Sequence, residues 1–326
     1  MTVEHTLPAG QRTRAEEAPT EPAAVRRPSL RRRILKEKWT YLFLLPGVLY
    51  FVVFHYVPLL GNVVAFQDFS PFRGIFGSDW VGLENFRTIV RDPEVMRALT
   101  NTLIIAFLQI VFAFPAPIIL ALFLNSLVSD RVKRSIQTIV YLPHFISWVV
   151  VVSIWQKILG GAGLVSEILE RVGVEGVNIM ANPDTFKILV TSQVIWKDVG
   201  WGTIIFFAAI VAIPSELYES AATDGASSWR RMWHITLPGM MPVISMLLIL
   251  NVGTALTVGF EQMLLQQPAV GADAAQVLDT FVYFRGIAGG DWGVATAAGL
   301  IKGVIATILV LSANKIAKKL GGEGVI

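Results

Sequence analysis

The sequence predicts an all-α integral membrane protein with six transmembrane helices, and three observations carry that expectation. Hydrophobic residues make up 54% of the 326 residues and charged residues only 16%, whereas soluble domains carry about 25% charge. Six apolar stretches are each long enough to cross about 30 Å of hydrocarbon, which takes about 20 helical residues. No segment alternates with period two in ten-residue units, so a transmembrane barrel is not supported. The same composition excludes a disordered chain, because disorder needs low hydrophobicity. Cysteine is absent, which excludes disulfides, thiolate metal sites and a Cys nucleophile.

Residues 1–38 are polar and Pro/Ala/Glu-rich, ending in RRPSLRRRILKEK. The apolar run that follows is too long for a signal peptide, and no small-residue cleavage site follows in place. The segment therefore reads as a basic, disordered cytoplasmic tail before an uncleaved anchor. The spans are expected at Tyr41–Phe66, Asn101–Asn125, Ile136–Ile158, Phe186–Ile213, Met240–Gly259 and Val294–Asn314, within a transmembrane domain of residues 39–320. Residues 321–326 form a second cytoplasmic tail. Pro46, Pro58, Pro115, Pro117 and Pro143 fall inside spans, where breaks are tolerated if neighbours or water satisfy the freed backbone groups. With the N-terminus inside, the cytoplasmic segments hold fifteen Lys and Arg and the opposite segments six, so both termini are expected in the cytoplasm. Between the first two spans, Leu83, Phe86, Ile89 and Val90 recur at helical spacing and predict a short surface helix.

Several functions are excluded or disfavoured. The net charge is only +3, and nine of the 27 Lys and Arg lie in the first 40 residues beside a span, so nucleic-acid binding is not suggested. The chain has no G-x-x-x-x-G-K-[ST] phosphate loop and is not expected to hydrolyse ATP itself. His5, His55, His144 and His234 are scattered, without carboxylates at metal-ligand spacing. No metal site is expected, and His144 and His234 read as structural hydrogen-bonding residues.

One segment is unlike the rest: IPSELYESAATDGASSWRRMWHITLPGMMP, from Ile213 to Pro242. Pro214 ends the fourth span. Ser215 is placed to cap a short helix whose first turn carries Glu216 and Glu219, favourable against the helix dipole. Leu217, Tyr218, Ala221 and Ala222 give it a small apolar face, and Gly225 suits the left-handed residue that stops it. Ser227 or Ser228 can cap a second short helix through Trp229, Met232 and Trp233, which Leu237-Pro238 is expected to close before span five.

Residues 219–238 resemble the EAA coupling loop of binding-protein-dependent ABC importer permeases. Glu219, Ala221, Ala222, Asp224, Gly225, Ala226, Trp229, Ile235, Leu237 and Pro238 fall on its Glu-Ala-Ala, Asp-Gly-Ala and Ile-x-Leu-Pro pattern, with Ser220 as the departure. The phrases YLFLLPGVLYFVVFHYVPL (41–59), VGLENF (81–86), YLPHFISWVV (141–150), IWK (195–197), GFEQM (259–263) and DTFVYFRGI (279–287) are similar to the carbohydrate branch of those permeases. The resemblance implies a type I ABC importer permease-like bundle in the plasma membrane of a prokaryote, moving an oligo- or polysaccharide. It also implies a second homologous permease, two cytoplasmic ATPase subunits that hold ATP and Mg, and an extracytoplasmic sugar-binding protein. This chain would carry no cofactor and no enzymatic activity. The alternatives are a permease for a non-sugar solute and an ion-coupled secondary transporter. The latter class often shows internal repeats, of which none is evident, and it gives the coupling loop no task.

Ionisable groups inside spans are costly and mark cavities or partners. Lys197 and Asp198 lie about 17 Å into span four at 1.5 Å per residue, one turn before Trp201. Glu261 is expected at the outer end of span five. Lys302 lies about 12 Å below the outer end of span six, and Asp198 is its candidate partner. These five form the expected substrate pathway. Trp148, Trp155 and Trp196 also lie within spans, where packing and sugar stacking are the two readings. Asn101, Gln109, Gln156, Gln193 and Asn251 are candidates for interhelical hydrogen bonds.

Overall fold

The computed structural model of the chain describes residues 37–319. Apart from Glu37 and Lys38, the tails expected at 1–38 and 321–326 lie outside them. Among the described residues, six helices are long and apolar enough to cross a membrane: Lys38–Phe66, Pro93–Ser126, Trp148–Arg171, Phe186–Val211, Ser228–Thr254 and Trp292–Ile316. The chain divides into two units, residues 1–59 and 60–326.

The first unit is α1 (Lys38–Phe51), which contains Pro46 and runs into a π-turn at Val52–Tyr56 just before Pro58. The same arrangement recurs twice in the second unit. A π-turn at Gln109–Ala113 links α3 (Pro93–Leu108) to α4 (Pro115–Ser126), and another at Met232–Thr236 precedes Pro238. Proline lacks an N–H, and its ring meets the carbonyl four residues back. One wide turn before the ring lets the helix continue, as in the 2.9 Å bond from Phe114 N to Gln109 O. The spans therefore pass through their prolines.

The second unit opens on a 3-10 segment at Leu60–Phe66, then a two-strand ribbon, β1 (Gln67–Asp68) against β2 (Asp79–Trp80), followed by α2 (Glu84–Arg91). That is the expected surface helix, and it buries Ile89 in a cluster with Val95, Phe281 and Val294. Asp92 caps α3 through a 2.9 Å bond from Glu94 N, so the second span begins eight residues before the expected Asn101.

The third span differs from its expectation. Residues 136–158 are not one helix but α5 (Asp130–Tyr141), a 3-10 turn at Leu142–Phe145 and α6 (Trp148–Leu159), followed by α7 (Leu164–Arg171). Pro143 withholds a backbone donor here, and no π-turn compensates.

At the centre lies α8 (Phe186–Val211), which packs on α3, α4, α5 and the 142–145 turn. Gly200 permits that approach, because a Cβ there would collide with the Val140 carbonyl oxygen. After α8 come α9 (Ser215–Thr223), α10 (Ser228–Arg231) and α11 (Leu237–Thr254). Span five ends at Thr254, before the expected Gly259. Gly259 has φ of +47° and turns the chain into α12 (Phe260–Val270). Then α13 (Leu278–Val282) leads to α14 (Trp292–Lys319), the sixth span.

Candidate functional site

Lys197 projects from the middle of α8 toward the broken third span. Its ammonium donates to the carbonyl oxygens of His144 and Ile146, each at 2.7 Å, and reaches that of Pro143 at 3.4 Å. It also lies 5.8 Å from the Trp148 ring centroid. An ammonium has three donors and no acceptor, and here all three meet backbone oxygens of the broken segment, that of Pro143 also accepting from Ile146 N at 3.1 Å. The residue is only 8% exposed. Its charge is thus consumed in holding the 142–147 turn against α8.

The neighbouring side chains take the opposite course. Asp198 Oδ1 lies 2.8 Å from His144 Nδ1, and the His144 imidazole stacks on Trp201 with centroids 4.5 Å apart and planes within 4°. Phe145 meets Trp201 edge-on at 6.0 Å. His144, Asp198 and Trp201 line an open groove of about 590 Å³. Gln109, Phe114 and Pro117 line it on one side, and Leu247, Asn251 and Thr254 of α11 on another. Two of the candidate interhelical polar residues, Gln109 and Asn251, therefore face the groove.

The remaining expected pathway residues are placed elsewhere. Lys302 is not paired with Asp198. Its ammonium lies 2.5 Å from Asp279 Oδ1 of α13, with the two side chains 19% and 21% exposed. The expected pairing is not made, because α14 packs on α13 and meets Asp279 there. Glu261 is exposed in the first turn of α12 and is not among the groove-lining residues. We expect Lys302→Gln to lower the thermal unfolding midpoint, read by intrinsic tryptophan fluorescence. Asp279 Oδ2 is buried without a partner, and removing the cation from such a partly exposed pair costs about 2 kcal/mol. Adding Asp279→Asn should restore most of the loss, and an unchanged midpoint in the single variant would refute the pair's structural role.

Asn101 and Gln193 make the interhelical bonds expected of them. Asn101 Nδ2 donates to the carbonyl oxygens of Asp273 and Gln276, both at 3.0 Å. Gln193 sits in a buried amide cluster with Gln262 and Gln266, in which Gln262 Nε2 donates to Gln193 Oε1 at 2.7 Å. These bonds tie α8 to α12.

The segment 214–239 forms two short helices joined by Gly225, whose φ of +75° is the left-handed conformation expected. Ser227 Oγ accepts from Arg230 N at 3.3 Å and caps α10. Three details differ. Ser215 is the first residue of α9 and makes no cap bond, Pro214 standing in the capping position. Glu219 lies in the second turn rather than the first, so only Glu216 sits in the first turn by the helix dipole. Leu237-Pro238 does not close α10: the helix runs from Ser228 through the π-turn to Thr254. Glu219, Ala222, Asp224, Gly225 and Pro238 are exposed, and Ala221, Ala226, Ile235 and Leu237 are half-buried. Trp229 stands 67% exposed beside Trp233. Tyr218 holds α9 to this helix through its hydroxyl, 3.0 Å from Thr236 Oγ1.

Six candidate membrane spans, a largely apolar open groove carrying a few polar groups, and an exposed helical hairpin continuous with one span are the features of a membrane permease subunit. The chain belongs to the binding-protein-dependent transport system inner membrane component family, whose pattern matches residues 113–322. Protein LplB of Bacillus subtilis (strain 168) is 44% identical over 290 residues, covering 89% of this chain and 91% of that protein. The polygalacturonan/rhamnogalacturonan transport system permease protein YteP of the same strain is 43% identical over 319 residues, covering 96% and 99%. Among solved structures, the chain matches a bacterial alginate ABC transporter in complex with an alginate pentasaccharide-bound periplasmic protein. There the TM-score is 0.83 at 36% identity, covering 91% of this chain and 99% of that one. The bundle is of the type I ABC importer permease kind, and the protein is a multi-pass membrane protein.

His144 makes the structural hydrogen bond expected of it, to Asp198 at 2.8 Å, and its place in the groove lining beside Trp201 was not expected.

Proposed function

We propose that this chain is one half of the translocation pathway for an oligosaccharide derived from an acidic polysaccharide. A second, homologous permease closes the groove, an extracytoplasmic binding protein delivers the sugar, and two cytoplasmic ATPase subunits holding ATP and Mg drive the cycle. The observation that carries the reading is the groove itself. It combines an exposed aromatic face, a carboxylate and two amides at the centre of the bundle, the mixture that a polyhydroxylated ligand needs. The names borne by YteP and by the alginate transporter supply the sugar class.

Residues 214–239 serve in this proposal as the lever to the ATPases, with Glu219, Ala221, Ala222, Asp224, Gly225 and Ala226 at the docking face and Ile235, Leu237 and Pro238 joining it to span five. Because α10 and α11 form one helix, motion at the hairpin passes directly into the span that carries Leu247 and Asn251. Asp198 and Trp201 face the cargo, and Lys197 holds the turn beside them, while Glu261 and Lys302 stand outside the groove. Both termini lie in the cytoplasm. Reporter fusions after Leu127 and after Gly225 should read as cytoplasmic and one at Asn178 as external; a cytoplasmic reading at Asn178 would break this topology.

The test is uptake of oligogalacturonides by the complex reconstituted in proteoliposomes with its partner permease, ATPases and binding protein. Uptake dependent on ATP and on the binding protein is the expected result, and its absence with all four components present would refute the cargo.

A further inference from the structure

We infer that this chain holds its sugar by ring stacking on Trp201, with His144 as the backing plate, and not by charge. The inference rests on the sugar reading above and names the subsite within it. Two sets of observations lead to it, one geometric and one electrostatic.

The imidazole lies flat against the indole at 4.5 Å and 4°, and Phe145 abuts the indole at 86°. These contacts fix the plane of the indole, yet Trp201 is still 46% exposed and lines the groove. An exposed indole held in place from behind is pre-organised, so docking a flat ligand on it orders little that was free. A pyranose offers such a face, because its axial C–H groups form an apolar patch ringed by hydroxyls.

The charges point the same way. The groove-lining residues include one carboxylate, Asp198, and one imidazole, His144, joined through Nδ1. Lys197, the cation nearest in sequence, has its ammonium directed at three backbone oxygens. Lys302 is engaged by Asp279. Among the described residues, no Lys or Arg lines the groove. A uronate carboxylate therefore finds no Lys or Arg on this side, and the imidazole present is engaged by Asp198, whereas sugar hydroxyls find Asp198, Gln109 and Asn251 as hydrogen-bonding groups. Recognition of acidic groups, where the cargo has them, falls to surfaces other than this groove face.

The experiment uses a matched pair of probes, oligogalacturonides and their methyl esters, which share ring faces and differ in charge. Uptake by the complete reconstituted complex is compared for wild type, Trp201→Leu and Trp201→Phe, normalised to assembled complex recovered by size exclusion. Losing a stacking face of this kind should lower uptake of both probes by the same factor, about tenfold, in Trp201→Leu. Trp201→Phe, which keeps a ring, should stay within about threefold of wild type for both. Uptake by Trp201→Leu equal to wild type would overturn the stacking subsite. A loss confined to the free acids would overturn the claim that charge is not read here. Wild type importing neither probe would overturn the cargo reading, and the subsite with it, before any variant is compared.

Discussion

Replacing Lys197 by methionine is expected to lower the thermal midpoint of the assembled protein and to depress uptake. The ammonium holds the carbonyls of His144 and Ile146 at 2.7 Å in a site where the side chain is 8% exposed. Methionine keeps the volume and removes the donors. Backbone oxygens left unsatisfied in an apolar setting cost about 1–3 kcal/mol each. Part of that is offset because the variant no longer desolvates a charge, so the net expectation is about 2–4 kcal/mol. The effect should extend to function, since residues 142–147 carry His144 and His144 backs Trp201. The nine tryptophans provide the fluorescence signal for the melting curve, and uptake of oligogalacturonides provides the second readout. An unchanged midpoint together with unchanged uptake would show that the turn holds without the lysine.

The second large effect is expected at the hairpin, where folding and coupling can be separated. Gly225→Val places a β-branched residue at φ of +75°. A Cβ added at this position would have nothing within 4 Å, so the penalty is backbone strain alone, about 1–2 kcal/mol or somewhat more for a branched side chain. That is enough to reshape an exposed turn without unfolding a six-span bundle. Glu219→Lys makes the complementary test. Glu219 is exposed, and its carboxylate makes no ion pair or hydrogen bond among the described residues, so reversing its charge should leave the fold intact. Opposing like charges across an interface costs several kcal/mol, and uptake should fall at least about tenfold in each variant. Co-purification of the ATPase subunits should fall in parallel, while the amount of permease in the membrane stays level. Full transport in both variants would remove the hairpin from the coupling path.

Much of this architecture is legible in the sequence because the relevant physics is local. A run of twenty apolar residues has few alternatives to a membrane helix, since backbone groups in hydrocarbon must be satisfied internally. The hairpin was equally legible: Gly225 supplies the left-handed turn and Ser227 the cap, each acting on neighbours within three residues. Asn101 and Gln193 were recognisable as interhelical contacts by their cost in an apolar span, although not by their partners.

Other features depend on which distant segments meet, and no periodicity encodes that. A π-turn precedes Pro115 and Pro238, where the helix continues, and is missing before Pro143, where it breaks, yet Pro46 lies inside α1 without one. The partner of Lys302 is Asp279, 23 positions away, rather than Asp198. Asp198 was taken by His144, 54 positions away.

By itself, then, the sequence determined six spans, the helical hairpin between the fourth and fifth, and the presence of charge in the middle of the fourth. Only the tertiary structure decided what that charge does. A lysine and an aspartate at adjacent positions of a helix point about 100° apart. Lys197 consequently turns inward to the carbonyls of a broken helix, and Asp198 turns toward the open groove. Which residues face each of them is set by how Gly200 lets α8 close on α5, a packing distance that composition and spacing do not contain.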